Sequence, residues 1–240
     1  MINSLLGFKV LFTLVLQISQ MVALDIELGS LKENLLEMVD LVKNQLEKSK
    51  KALDQNDIEL AKEVIEREKR VNALEILIDK ECENILALHN PVATDLRFVL
   101  STIKICGDLE AIGDITKGLA RFIEKNNKKT SRQFIDQFKI LTMLEMCISM
   151  LADMGEAINN EDTHLAQKIT KKDSTLNEIN KNAPGVAAEL IKANADKIEL
   201  ILKLFTIARK LERVGDFIKN IGAEVVFHIE AKVLKHKKDK

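Results

Sequence analysis

Apolar residues recur along this chain at helical spacing. From Leu28 the series Leu28, Leu31, Leu35, Met38, Val42, Leu46 and Leu53 follows the three-or-four step of a helix with one buried face. "DQND" interrupts it, with Asn56 or Asp57 as the cap of the next helix. A second helix is predicted from about Ile58 to Leu88. "HNP" ends it, because Pro91 disfavours helix at Asn90 and suits a first helical turn. A third runs from about Val92 to Glu124, and the polar "KNNKKTS" follows.

The scheme then repeats. Helices are predicted over about 132–158, 163–193 and 197–235, separated by "NNED" and "NAD". Pro184 and Gly185 predict a kink or a helix end within the fifth. Short connections make neighbouring helices antiparallel. The expected fold is all-α, with two tandem three-helix bundles at residues 21–127 and 128–240.

Composition supports this picture. Trp and Tyr are absent and prolines number two, whereas sheet proteins favour aromatic residues and need frequent turns. Apolar residues make up 46% and charged residues 30%, enough for both a core and solubility. The formal net charge of −1 gives no global attraction to nucleic acid, so no nucleic-acid partner is expected. The basic "KVLKHKKDK" reads as a solvated end. Cys82, Cys106 and Cys147 form no CxxC and lie in helical sequence, which predicts buried thiols in the cytoplasm. Residues 1–20 are apolar but interrupted by Lys9, Gln17 and Gln20. Three readings stay open for them: a membrane or targeting segment, an extra helix, or residues upstream of a start at Met21.

The candidate chemistry lies in a repeated hexapeptide, "LEAIGD" at 109–114 and "LERVGD" at 211–216. Each places two acids at i and i+4: Glu110 with Asp114, and Glu212 with Asp216. Such pairs lie about 5–6 Å apart at Cβ and repel each other on a bare helix. A cation removes that cost. The flanks repeat as well: Val99 and Ile201, Ile103 and Phe205 before the pair, then Lys117 and Lys219 after it. Gly113 and Gly215 precede the second acids and leave room for an ion or another chain. Each column begins apolar and turns acidic, which predicts acids at the rim of a packed surface rather than on a wet face.

The preceding helix of each copy offers Glu68 with Asn72, and Asp173 with Asn177, again at i and i+4. Glu68 and Asn72 continue the stripe of Ala61, Val64 and Ile65. No histidine repeats with them. Oxygen-only ligands suit hard divalent or trivalent cations such as Mg²⁺, Mn²⁺, Ca²⁺ or iron, with Zn²⁺ left open. "EDTH" matches Glu-x-x-His once, at a helix start, and reads as chance or capping. His89 reads as a helix end and His228 as a surface or groove residue. No phosphate loop, G-x-S-x-G or Cys/His pairing occurs, so no enzyme is expected.

"NPVATDLRFVLSTIKICGDLEAIGDITKGLARF", with "IARKLERVGDFIKNIGAEVVF", resembles the PhoU family of phosphate-uptake regulators. The resemblance runs from about Leu24 to the end. It implies metal bound through E/D-x-x-x-D motifs, iron in some members, and a role in phosphate homeostasis. It further implies the phosphate ABC transporter and a sensor histidine kinase as partners, and a homodimer is expected. Carried over to this chain, the implied ligands are Glu68, Asn72, Glu110, Asp114, Asp173, Asn177, Glu212 and Asp216. Asp95 and Arg97 fall in the family's "DLR" element. Asn72 and Asn177 stand where the family often has Asp, and bring no charge. Three other functions remain: a carboxylate-bridged redox bundle, a metal-free adaptor, and a domain serving a sodium–phosphate cotransport system.

Overall fold

The computed structural model describes residues 2–126, 131–169 and 174–233, with side chains from residue 19 onward. Eight helices follow one another among them: α1 (Ile2–Gln55), α2 (Ile58–His89), α3 (Ala93–Asn126), α4 (Arg132–Gln137), α5 (Ile140–Asn160), α6 (Thr163–Ile169), α7 (Ser174–Ala193) and α8 (Ile198–Glu230). No strand occurs among the described residues, and the fold is all-α as expected. The first three helices form one antiparallel bundle. The rest form a second, in which α4 with α5 and α6 with α7 each occupy the place of one long helix.

Local chemistry sets the ends. Asp57 is the N-cap of α2, where its carboxylate accepts the Leu60 amide at 3.0 Å. Asn90 closes α2 in the left-handed region, as the "HNP" break predicts. Asp162 takes the Leu165 amide at 2.9 Å, so "EDTH" is a helix start and His164 belongs to a cap.

Three boundaries differ from expectation. α1 does not begin near Leu28 but runs unbroken from Ile2, so residues 2–20 continue the first helix. The predicted fourth helix breaks at Phe138 and Lys139, with Lys139 left-handed. Phe134, Ile135 and Phe138 are buried, and so are Ile140, Met143 and Leu144. On one continuous helix these two sets would face opposite ways at about 100° per residue. The break resets the phase, and both sets reach the core. α7 passes through Pro184 instead of ending there. Pro184 faces solvent while Ala183 and Ala187 are buried, so the backbone bond it removes falls on the wet side.

One continuous apolar core runs through both bundles. α1 packs on α5 as well as on α2 and α3, and α8 packs on α3. Salt bridges Lys32–Glu161 and Lys50–Glu145 tie α1 to the second repeat, at 2.9 and 3.3 Å. The α3–α8 seam is antiparallel. Near its start, Arg97 Nε donates to the His228 carbonyl at 3.0 Å, giving the "DLR" arginine a bridging role. Ser101 Oγ bonds the Glu224 carbonyl, and Lys104 reaches the buried Glu224 carboxylate at 3.2 Å. His228 lies half-buried against Phe98, their ring centres 5.3 Å apart, and burial lowers its pKa.

Cys82, Cys106 and Cys147 are buried, and burial pushes each thiol up to about 12. Their sulfurs point at Val99 O, Met38 Sδ and Leu211 O. Because the thiolate is the reactive form, none should react with an aromatic disulfide reagent in the native protein. All three should titrate together once the chain is unfolded in guanidinium. Rapid labelling of any one without denaturant would contradict this burial.

Among the described residues, no helix is long and apolar enough to cross a membrane. The apolar character noted for residues 1–18 concerns side chains outside the described set, and so does the end of the basic tail beyond Val233.

Candidate metal centre

Glu68 stands on α2 at a position the core would give to an apolar residue. Its neighbours in the stripe, Ala61, Val64, Val71 and Ile78, are fully buried, and Glu68 itself is only 1% exposed. Across from it, α3 presents Glu110 and Asp114. One carboxylate oxygen of each of the three acids lies within 4.8 Å of the others. Glu110 is half-buried and Asp114 is exposed, so the group runs from the core to the surface.

Among the described residues the buried end is short of hydrogen-bond donors. Glu68 Oε1 has no partner, and Oε2 receives only a 3.5 Å contact from Gln45 Nε2. The Gln45 amide oxygen is also buried without a partner. Leaving such atoms unsatisfied costs about 1–3 kcal/mol each. Gly113 makes the approach possible. A Cβ there would stand 3.3 Å from Glu68 Oε2 and 3.6 Å from Gln45 Oε1. The missing side chain thus keeps an oxygen-lined space open between α1, α2 and α3.

Electrostatics follow from this crowding. Burial raises the pKa of Glu68; the Lys117 ammonium opposes the rise, and Asp114 and Glu110 add to it. Burial likewise raises Glu110, helped by Asp114 and Glu75. Lys117 pairs with Asp114 at 3.2 Å and is the nearest internal counter-ion to the group. Three carboxylates and one amide oxygen form a hard, oxygen-only donor set of the kind that takes a divalent or trivalent cation.

Asn72, one turn beyond Glu68, is exposed. The buried stripe of α2 passes from Glu68 to Val71 and on toward Glu75, which turns Asn72 outward. Glu75 is the acid that sequence reasoning missed. It is half-buried, and burial with the charges of Asp79 and Asp114 raises its pKa. Its spacing of seven from Glu68, two helical turns, was the available signal. Gln45 was missed too, although it stands where the Leu35, Met38, Val42 series calls for an apolar side chain.

The second repeat is built differently. Glu212 and Asp216 are half-buried on α8, and Lys219 pairs with Asp216 at 3.1 Å, the counterpart of Lys117 with Asp114. Asn177 is exposed, and Asp173 lies outside the described residues. Among the described residues no third acid gathers with Glu212 and Asp216. Gly215 does not open space for an ion, as its position before the acid predicted. A Cβ there would lie 2.6 Å from Leu176 Cδ1, so this glycine serves the close packing of α7 on α8.

Comparison with known proteins follows the same division into repeats. The PhoU domain model matches residues 35–123 and again 140–225. A phosphate-specific transport system accessory protein PhoU homolog from Burkholderia sp is 30% identical over 213 residues, spanning 88% of this chain and 91% of that protein. PhoU of Escherichia coli (strain K12), named in the same terms, is 28% identical over 214 residues and matched over 86% of its length. The crystal structure of PhoU from Pseudomonas aeruginosa superposes with a TM-score of 0.82 at 29% identity, covering 87% of this chain and 99% of that one. That of the phosphate transport system regulatory protein PhoU from Streptococcus pneumoniae gives 0.75 at 28% identity. With both repeats matched and the fold shared along nearly its whole length, the chain belongs to the PhoU family.

Proposed function

We propose that this protein is a non-enzymatic regulator of phosphate uptake that binds a metal ion at Glu68, Glu110 and Asp114 and acts on a phosphate transporter. The family supports the transport role, since its relatives are named as accessory proteins of a phosphate-specific transport system. One observation carries the metal: three carboxylates converge around a buried, unpartnered oxygen of Glu68. A bound cation would supply positive charge there. Glu68 would hold it from the core side, and Glu110 and Asp114 from the rim. The chain's own part is to fix three helices around that point, α1 through Gln45, α2 through Glu68 and α3 through the acid pair. Iron, manganese, magnesium, calcium and zinc all remain within reach of oxygen ligands.

A phosphate ABC transporter and its sensor histidine kinase are the proposed partners. The proposed setting is the cytoplasm, with the protein working as a homodimer. A metal-shaped surface would then report to the transporter; the bare carboxylates repel phosphate, whereas a bound multivalent cation would attract it.

The test replaces Glu110 and Asp114 together by Ala. Metal content, by elemental analysis of protein purified without chelators, should fall for the Glu110→Ala, Asp114→Ala variant. Its affinity should drop at least about tenfold. Cells carrying only this variant should take up phosphate without restraint under phosphate-replete growth. Helicity by circular dichroism should hold, since Asp114 is exposed and Glu110 half-buried. Unchanged metal content with unchanged uptake would refute the proposal.

A further inference from the structure

The α3–α8 seam opens at its far end. There the C-terminal half of α3 and the N-terminal half of α8 border an open hollow of about 500 Å³. That is within the about 300–1,000 Å³ usual for small-molecule sites. Its lining begins at Ile115, one residue past Asp114, and runs to the Lys125 end of α3. Its floor is apolar: Ile115, Leu119, Phe122, Leu202, Ile207 and Leu211. Leu202 is 47% exposed on this floor.

The rim is cationic. Arg121 and Lys125 overhang it from α3, Lys203 and Lys210 from α8. Lys203 is engaged by Glu199 at 2.6 Å. Arg121, Lys125 and Lys210 make no ion pair among the described residues. Gly118 lets the Lys210 chain lie across α3, with its Nζ 3.7 Å from where a Cβ would be. Three uncompensated cations therefore ring one apolar hollow, contributed by both repeats.

We propose that this cavity binds a small organic anion with an apolar body, its ring system or chain on the Phe122–Leu202 floor and its anionic head among Arg121, Lys125 and Lys210. Inorganic phosphate has no part that would cover the floor. A neutral apolar molecule would leave the cations unmatched. The chain's own basic end, "KVLKHKKDK", would be repelled. Nucleotides and acyl carboxylates or phosphates share the required chemistry. Because the ligand would touch α3 and α8 together, its binding would tie the two repeats and give the protein a second input beside the acid group.

The probe is anilinonaphthalene sulfonate, an aromatic body with one anionic head. It should bind saturably, one per chain. Arg121→Glu with Lys210→Glu should weaken it by about tenfold or more. Leu202→Asp should do the same from the floor side. Both changes lie at exposed positions, and unchanged circular dichroism and melting will show that each variant folds. Displacement by adenosine triphosphate alone assigns a nucleotide, and displacement by dodecanoate alone assigns an acyl anion; either supports the site. Equal binding of the uncharged phenylnaphthylamine, or probe binding indifferent to both variants, would overturn it. Probe binding that falls as protein concentration rises would give the hollow to a second copy of the chain, and would overturn it as well.

Discussion

Glu68→Gln is expected to stabilise the chelator-treated protein at neutral pH while weakening its hold on metal. The two effects have one cause. A carboxylate at 1% exposure, with one oxygen unpartnered, is costly to keep ionised in the core. Its raised pKa says that the folded chain holds this proton more tightly than the unfolded chain does. Above the ordinary carboxylate range, and up to that raised value, the folded state binds more protons. Stability contributed by the protonated form is therefore present at low pH and lost as pH rises through the folded pKa. The neutral, isosteric amide removes that loss. We expect a gain of about 1–3 kcal/mol at pH 7 in thermal or urea melts without metal. The variant's stability should also be flatter between mildly acid and neutral pH than that of the wild type. With Mn²⁺ present the order reverses, because a bound ion stabilises only the folded state, and the wild type binds it more tightly. Affinity by calorimetry should fall at least about tenfold. A variant less stable than wild type in both conditions would mean that Glu68 is an ordinary packing residue.

The apolar stripe shows why such a residue could be found in the sequence and why its surroundings could not. Ala61, Val64 and Val71 set a face, and Glu68 interrupts it; that much is visible in the spacing of one helix. The repeated hexapeptide likewise gave Glu110 and Asp114, because a pattern written twice survives without knowledge of the fold. Asn72 stays outside the cluster for a geometric reason. Pairing at i and i+4 suits two side chains on a surface, but a buried seam follows steps of three and four in alternation, which carry Glu68 on to Glu75. Gln45 lies on a third helix, and its convergence with Glu68 depends on the packing of α1 on α2, which no spacing within one helix reports. Gly113 and Gly215 occupy matching places in the two hexapeptides. What distinguishes them is the opposing side chain, a carboxylate for one and Leu176 for the other. The break at Phe138 was legible, since the apolar phase shifts by half a turn between Phe138 and Ile140. A search for helical periodicity alone overlooks such a shift.

Lys117→Met should act in the opposite sense to Glu68→Gln. Lys117 pairs with Asp114 and lowers the pKa of both Glu68 and Glu110. Without metal it is the group's counter-ion, with its side chain 21% exposed and its charge only partly screened. Met keeps the apolar stem and removes the charge. The chelator-treated variant should then be less stable by about 1 kcal/mol, with Glu68 and Glu110 pushed further up. Metal should bind more tightly, by about tenfold, because an incoming cation no longer meets a resident ammonium. Calorimetry with Mn²⁺ and paired melts with and without chelator would measure both. Lys219→Met supplies the internal comparison. It removes the matching pair from Asp216, but no buried third acid gathers there among the described residues, so its effect should stay within the few tenths of a kcal/mol of a half-exposed helical ion pair. Equal responses from the two lysines would place the repeats on the same footing and deny Glu68 its special role. A strong response from Lys117 alone would locate the difference between the halves in Glu68, the carboxylate that α2 carries into the core beside the acid pair.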